Sequence, residues 1–142
     1  MCASTGTYSM VNSMEEEKVA VLNVVDRIFD GMRAGDAEVI KALVLPETNL
    51  DRITPNQPVN HSKLSGWVDW VATLKPGQVD EQIFDVVVQV EGPLANVWAP
   101  FTIAIDGEMK SCGVNHFTLV KLEGSWKVAY LIDTHTPEKC MY

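Results

Sequence analysis

Residues 111–135 read SCGVNHFTLVKLEGSWKVAYLIDTH. β-branched and aromatic residues crowd both sides of Glu123-Gly124, a dipeptide suited to a tight turn. The stretch therefore predicts two antiparallel strands joined by a two-residue hairpin. Just upstream, Asp106-Gly107 is a stronger signal of the same kind. Together the two turns predict a meander over residues 94–105, 108–122 and 125–135. A further strand is expected over residues 83–90, ended by Glu91-Gly92-Pro93. The second half of the chain thus reads as four long antiparallel strands.

Working outward from the meander, the pattern before it is helical. Ser13-Met14-Glu15-Glu16 has the form of a capping box. Val21, Leu22, Val25, Ile28, Phe29 and Met32 then recur at three- and four-residue spacing, the mark of one buried helical stripe. Ala34-Gly35-Asp36 ends that helix. A short second helix points Val39, Ile40, Leu43 and Val44 inward and closes at Pro46. Residues 48–53 form a weak strand candidate, and Pro55 and Pro58 lie in a polar loop. A third helix over about residues 62–74 carries Trp67, Trp70, Val71 and Leu74 on one face, and Lys75-Pro76-Gly77 stops it. Residues 1–12 read as a flexible polar tail before a single domain over 13–142. The order predicts an α+β domain with helices on one face of a curved sheet.

Composition narrows the function. The 142 residues carry a formal net charge of −8, a field that repels nucleic-acid phosphates and anionic membrane surfaces. No apolar run approaches the roughly 20 residues that span a bilayer, and no secretory signal opens the chain, so the expected address is the cytoplasm. Cys2, Cys112 and Cys140 are odd in number and far apart. They are expected as reduced thiols, with a Cys2–Cys140 bridge as the alternative.

Counting outward from two regular turns sets a register. It pairs Trp98 with Asn115, Phe117 with Tyr130 and Asn115 with Ile132. One face then carries Trp98, Asn115, Phe117, Leu119, Trp126, Val128, Tyr130 and Ile132. Being the more aromatic, it is expected to face the helices, with Trp67 or Trp70, or both, closing the opposite wall. The other face carries Val97, Ala99, Phe101, Cys112, Val114, His116, Leu131, Asp133 and His135. It is too apolar to face water and is expected at a dimer interface. One β-bulge would move Asp133 and His135 to the pocket side, because a one-residue slip exchanges faces.

The helical stretch VVDRIFDGMRAGDAEVIKALV, the sheet stretch VEGPLANVWAPFTIAIDGEMKSCGVNHFTLVKLEGSWKV and the terminal DTHTPEKC resemble the nuclear transport factor 2-like superfamily. The closest flavour is the small SnoaL-like or lumazine-binding type protein. The resemblance implies a cone-shaped fold in which three N-terminal helices pack on a curved, mainly antiparallel sheet. It also implies a pocket between sheet and helices, a homodimer through the outer sheet face, and last-strand carboxylates that reach the pocket. Members often carry an acid where this chain has Asn115 and a tyrosine where it has Phe101, so two proton-transfer groups are missing here. The superfamily spans isomerases, dehydratases, cyclases and non-catalytic binders, and fold alone does not choose among them.

Against that frame Asp133 is the candidate general base, and His135 its proton relay. Arg52, at the mouth of a proline-rich loop, is placed to hold a carboxylate or carbonyl oxygen. Trp67, Trp70, Trp98, Asn115, Phe117 and Tyr130 are the expected substrate contacts. His61 and Asp69 are ambiguous, and His116 belongs to the interface. No nucleophile elbow, phosphate loop or zinc-helix motif occurs, so no metal or organic cofactor is expected. The expectation is an isomerase, cyclase or dehydratase acting by proton transfer on a hydrophobic, polyketide-like molecule. A ligand binder without chemistry and a dimeric scaffold are the alternatives.

Overall fold

The computed structural model describes the backbone of residues 2–142 and the side chains of residues 13–142. The tail expected over residues 1–12 lies outside the residues whose side chains are described. Helix α1 spans Cys2–Ala34, so Ser13 lies within it rather than capping it. Its buried stripe is Val21, Val24, Val25, Ile28, Phe29 and Met32, close to the predicted set. Gly35 stops the helix with φ +67, a left-handed value that glycine adopts freely. A Cβ there would also lie 2.5 Å from the Leu74 carbonyl oxygen. Asp36 then caps α2 (Ala37–Lys41) by accepting a hydrogen bond from the Val39 N–H.

Strands β1 (Val44–Ile53) and β2 (Asn60–Lys63) follow, then α3 (Leu64–Val71), β3 (Val79–Ile83), β4 (Val87–Glu91), β5 (Leu94–Ile105), β6 (Glu108–Leu122) and β7 (Ser125–Thr134). A 3-10 turn, Pro137–Lys139, follows β7. The strand order is β2-β1-β7-β6-β5-β3, with β4 also on β5. All pairs are antiparallel except β1 with β7, which is parallel. The single strand expected over 83–90 is two, broken where Phe84 donates its N–H to the Pro100 carbonyl. Pro100 has no N–H to return, so the edge ladder cannot continue through that point. No helix among the described residues is long and apolar enough to cross a membrane.

Both hairpin turns form as read. Asp106, Gly107, Glu123 and Gly124 all have positive φ, as a two-residue turn between twisted strands requires. The register still departs from regular counting, because each hairpin holds one extra residue. Ala104 pairs with Met109 but Ile103 pairs with Ser111, so Lys110 bulges from β6. Leu119 pairs with Val128 but Thr118 pairs with Tyr130, so Ala129 bulges from β7.

Each bulge exchanges faces for everything beyond it. Val97, Ala99 and Phe101 turn inward and are almost wholly buried, whereas Trp98 turns outward and is half-exposed. Tyr130 also turns outward. The expectation that Trp98 and Tyr130 line the helix side is therefore corrected. Asn115 and Phe117 do face the helices, and Leu131, Asp133 and His135 join them. The second bulge is the distortion that brings Asp133 across.

The cysteines differ from expectation too. Cys112 and Cys140 are joined in a disulfide, in place of reduced thiols or a bridge involving Cys2.

Candidate functional site

A cavity of about 420 Å³ lies between the inner sheet face and the helices. Ile28, Phe29 and Met32 of α1 form one wall, Trp67 and Trp70 of α3 another, and Ile103, Phe117 and Leu131 the sheet side. That size and apolar lining suit a small organic molecule. Of the residues predicted from sequence, Arg52, Trp67, Trp70, Asn115, Phe117, Asp133 and His135 line it.

Trp98 and Tyr130 do not. Trp98 stands over His116 on the outer face, ring centroids 6.3 Å apart. The Tyr130 hydroxyl donates to Asp51 Oδ2 at 2.7 Å, and His61 Nδ1 lies 3.1 Å from Asp51 Oδ1. Burial, with Asp51 beside it, pushes the Tyr130 phenol up to about 12, so it stays protonated.

Two polar groups stand in the apolar cavity. The first comes from the parallel pairing of β1 and β7, which sets Arg52 directly beside Asp133. The guanidinium grips the carboxylate with both arms, Nε to Oδ1 at 2.9 Å and Nη2 to Oδ2 at 3.1 Å. His135 Nε2 lies 3.5 Å from Asp133 Oδ2, and His135 Nδ1 is 3.0 Å from Ser111 Oγ. Burial alone pushes the Asp133 carboxyl up. The contacts to His135 and Arg52 outweigh it and hold the group below the usual aspartate range. Asp133 is thus an ionised anchor for two cationic or polar side chains.

The second group was not foreseen. Glu81 of β3 is buried against the cavity, and Asn115 Nδ2 donates to its Oε2 at 2.6 Å. No described side chain makes a direct ion pair with it. Burial, the largest influence, pushes its carboxyl up to about 7. Val79-Asp80-Glu81-Gln82-Ile83 alternates, and the period-2 row Val79, Glu81, Ile83 was the available signal. The strand expected over residues 83–90 begins two residues beyond Glu81, so this row falls outside it.

That raised carboxyl has a stability consequence. The unfolded chain loses the Glu81 proton near pH 4.5, the folded chain near 7. Between those values the folded state holds a proton the unfolded state has released, so stability falls as pH rises through the window. Glu81→Gln removes this loss. The variant is expected to match the parent near pH 4 and to exceed it at pH 8 by roughly 2 to 3 kcal/mol. Urea denaturation at the two pH values checks this, and equal curves at pH 8 would place Glu81 in water.

The sequence matches the model of the family described as "Putative lumazine-binding" over residues 16–130. No curated protein matches the chain. Solved structures do. An NTF2-like protein of unknown function from Shewanella baltica is 17% identical at TM-score 0.68, covering 87% of this chain and 96% of its own. A protein named "putative dehydratase from the NTF2-like family", from Streptomyces avermitilis, is 17% identical at TM-score 0.67, covering 86% and 97%. The association domain of C. elegans CaMKII is 16% identical at TM-score 0.70, covering 86% and 98%. At such identities the structures share the fold alone. With the family match spanning most of the chain, and a helix-backed curved sheet enclosing a cavity, the chain belongs to the family described as "Putative lumazine-binding" and has the fold of NTF2-like proteins.

Proposed function

We propose that the cavity binds a hydrophobic small molecule and moves a proton on it without a cofactor, in an isomerase, cyclase or dehydratase reaction. The observation that carries this is Glu81: a buried carboxyl on an apolar cavity wall, hydrogen-bonded to Asn115. A carboxyl poised near 7 can both give and take a proton at neutral pH. Asp133, held ionised by Arg52, keeps His135 in place and leaves the proton work to Glu81. Trp67, Trp70 and Phe117 take the apolar body of the ligand. The family's printed name and the dehydratase name of the Streptomyces protein support a ligand in this pocket.

Deuterium incorporation from D2O next to the carbonyl of bicyclic ketones such as 2-tetralone tests the reaction. The parent is expected to speed exchange, and Glu81→Gln to lose at least a hundredfold of that while still binding. Equal exchange in both would remove Glu81 from the mechanism. Binding without exchange in either would establish the second reading, a binder without chemistry. The bidentate Arg52 clamp, which disarms Asp133 as a base, favours that reading.

The same proposal includes a homodimer through the outer sheet face. Ile53, Val114, His116 and Ile132 line a groove of about 340 Å³ beside the half-exposed Trp98. Apolar surface of this kind is normally covered. Light scattering should report twice the chain mass, and Trp98→Glu should halve it.

A further inference from the structure

The chain beyond β7 leaves the sheet as a strap over residues 136–142. Residues 137–142 are all exposed, and no side chain of the strap enters the core. Its backbone is tied to the sheet by the Thr136 N–H, which donates to the Cys112 carbonyl at 2.8 Å. Farther on, Tyr142 stacks on Phe84 with ring centroids 4.3 Å apart and bonds to Asp85. The covalent tie is Cys112–Cys140. A segment with so little buried surface frays easily once such a tie is cut.

The strap is also a wall. Thr136, Pro137, Glu138 and Lys139 face Thr54, Pro55 and Asn56 across an outer groove of about 430 Å³. His135 lines both this groove and the inner cavity, so the residue stands between them. The ring is held there by Ser111 Oγ, by Asp133 and by the edge of Phe101, centroids 5.3 Å apart. Ser111 directly precedes Cys112, so the bridge anchors next to the group that holds His135.

We propose that Cys112–Cys140 is a reducible site that controls access to the cavity past His135: bridged, the strap walls the groove; reduced by a dithiol, it leaves and uncovers the imidazole. The two sulfurs differ in the way this needs. Cys112 is buried in β6, whereas Cys140 is exposed on the strap. The thiolate of the dithiol attacks Sγ of Cys140, the S–S bond breaks, and Cys112 leaves as a thiolate that takes a proton. The second thiol of the reductant then displaces Cys140, which leaves as a thiol. The bridge has gained two electrons and two protons, and the reductant ends as a cyclic disulfide. An oxidising small disulfide reverses the step.

Reactivity of the imidazoles with diethyl pyrocarbonate, read by peptide mass spectrometry, tests the proposal without any ligand. Exposed His61 serves as the internal standard. The protein is compared as isolated, after reduction with a phosphine, and as Cys140→Ser. Reduction and substitution should each raise the His135 rate at least tenfold and leave His61 unchanged. Hydrogen exchange should quicken over residues 136–142 and stay unchanged over β5 and β6. Unchanged His135 reactivity would make the bridge a plain staple and overturn the gate. A rise at every histidine, with exchange quickening throughout, would mean global loosening and overturn it as well. Alkylation of Cys112 or Cys140 before any reduction would show that the bridge is absent.

Discussion

Gly113→Ala is expected to lose about 4 kcal/mol of folding stability, the largest single effect predicted for this chain. The cause is space rather than backbone conformation. A Cβ at position 113 would sit 1.9 Å from the Thr134 carbonyl oxygen and 2.7 Å from its carbonyl carbon. Both are backbone atoms of β7, so no rotamer change relieves the clash. The end of β7 would have to move off β6, and with it would go the bond from the Val114 N–H to Thr134 Oγ1 at 2.9 Å. Overpacking that a flexible side chain can absorb costs about 1 to 3 kcal/mol, and here nothing flexible is available. Asp133 and His135 ride on the displaced segment, so the cavity end should loosen even where the variant folds. Urea denaturation measures the loss. A shift under about 1 kcal/mol would mean that β7 slides freely at this point.

Arg52→Leu is expected to cost about 3 to 4 kcal/mol at pH 7. It strands Asp133, whose side chain is 6% exposed, without its bidentate partner. Arg52 itself is 40% exposed, which keeps the cost toward the lower end of the range for buried pairs. The pH dependence follows from the depressed Asp133 carboxyl. Its stabilising share is present above the ordinary value of 3.8 and is lost as pH falls through the lower folded value. In the variant the stranded carboxyl escapes its penalty by taking a proton in acid. The deficit against the parent should therefore be largest at pH 7, shrink toward pH 4 as the stranded carboxyl takes its proton, and close only at lower pH, where the parent's own share is lost. Asp133→Asn placed on top of Arg52→Leu should recover most of it at neutral pH. A deficit that ignores pH, or that Asp133→Asn leaves in place, would show that Arg52 acts through packing rather than charge.

The two variants also separate the pocket's parts. Both disturb Asp133 and His135, which sit on β7, while Glu81 sits on β3 with Asn115 of β6 as its partner. If proton transfer depends on Glu81, Arg52→Leu at a temperature where it stays folded should keep most of the exchange activity that Glu81→Gln abolishes.

Local sequence was enough for the meander of β5, β6 and β7, though not for the split of the strand before it into β3 and β4. Asp-Gly and Glu-Gly turns depend on backbone conformations available to those few residues, and the α1 stripe depends on helical spacing alone. The apolar wall of the site was legible for the same reason, since Trp67, Trp70 and Phe117 lie on faces that short-range periodicity identifies. What local pattern could not supply was the register beyond the bulges at Lys110 and Ala129. The extra residue in β7 falls within the unbroken apolar run 128–132, which hides the change of phase until the partner strand is known. One such residue moved Trp98 out and brought Val97 and Ala99 in; the other took Tyr130 out and Asp133 in. The polar core of the site needed contacts of still longer range. Arg52 and Asp133 are 81 residues apart, Glu81 and Asn115 34, and Cys112 and Cys140 28. Each pair meets only because the sheet closes in this order, with β1 parallel to β7 and the strap folded back on β6. Charge pairing, the raised Glu81 carboxyl and the disulfide are therefore properties of the tertiary structure, whereas the helices, turns and apolar wall belong to the sequence itself.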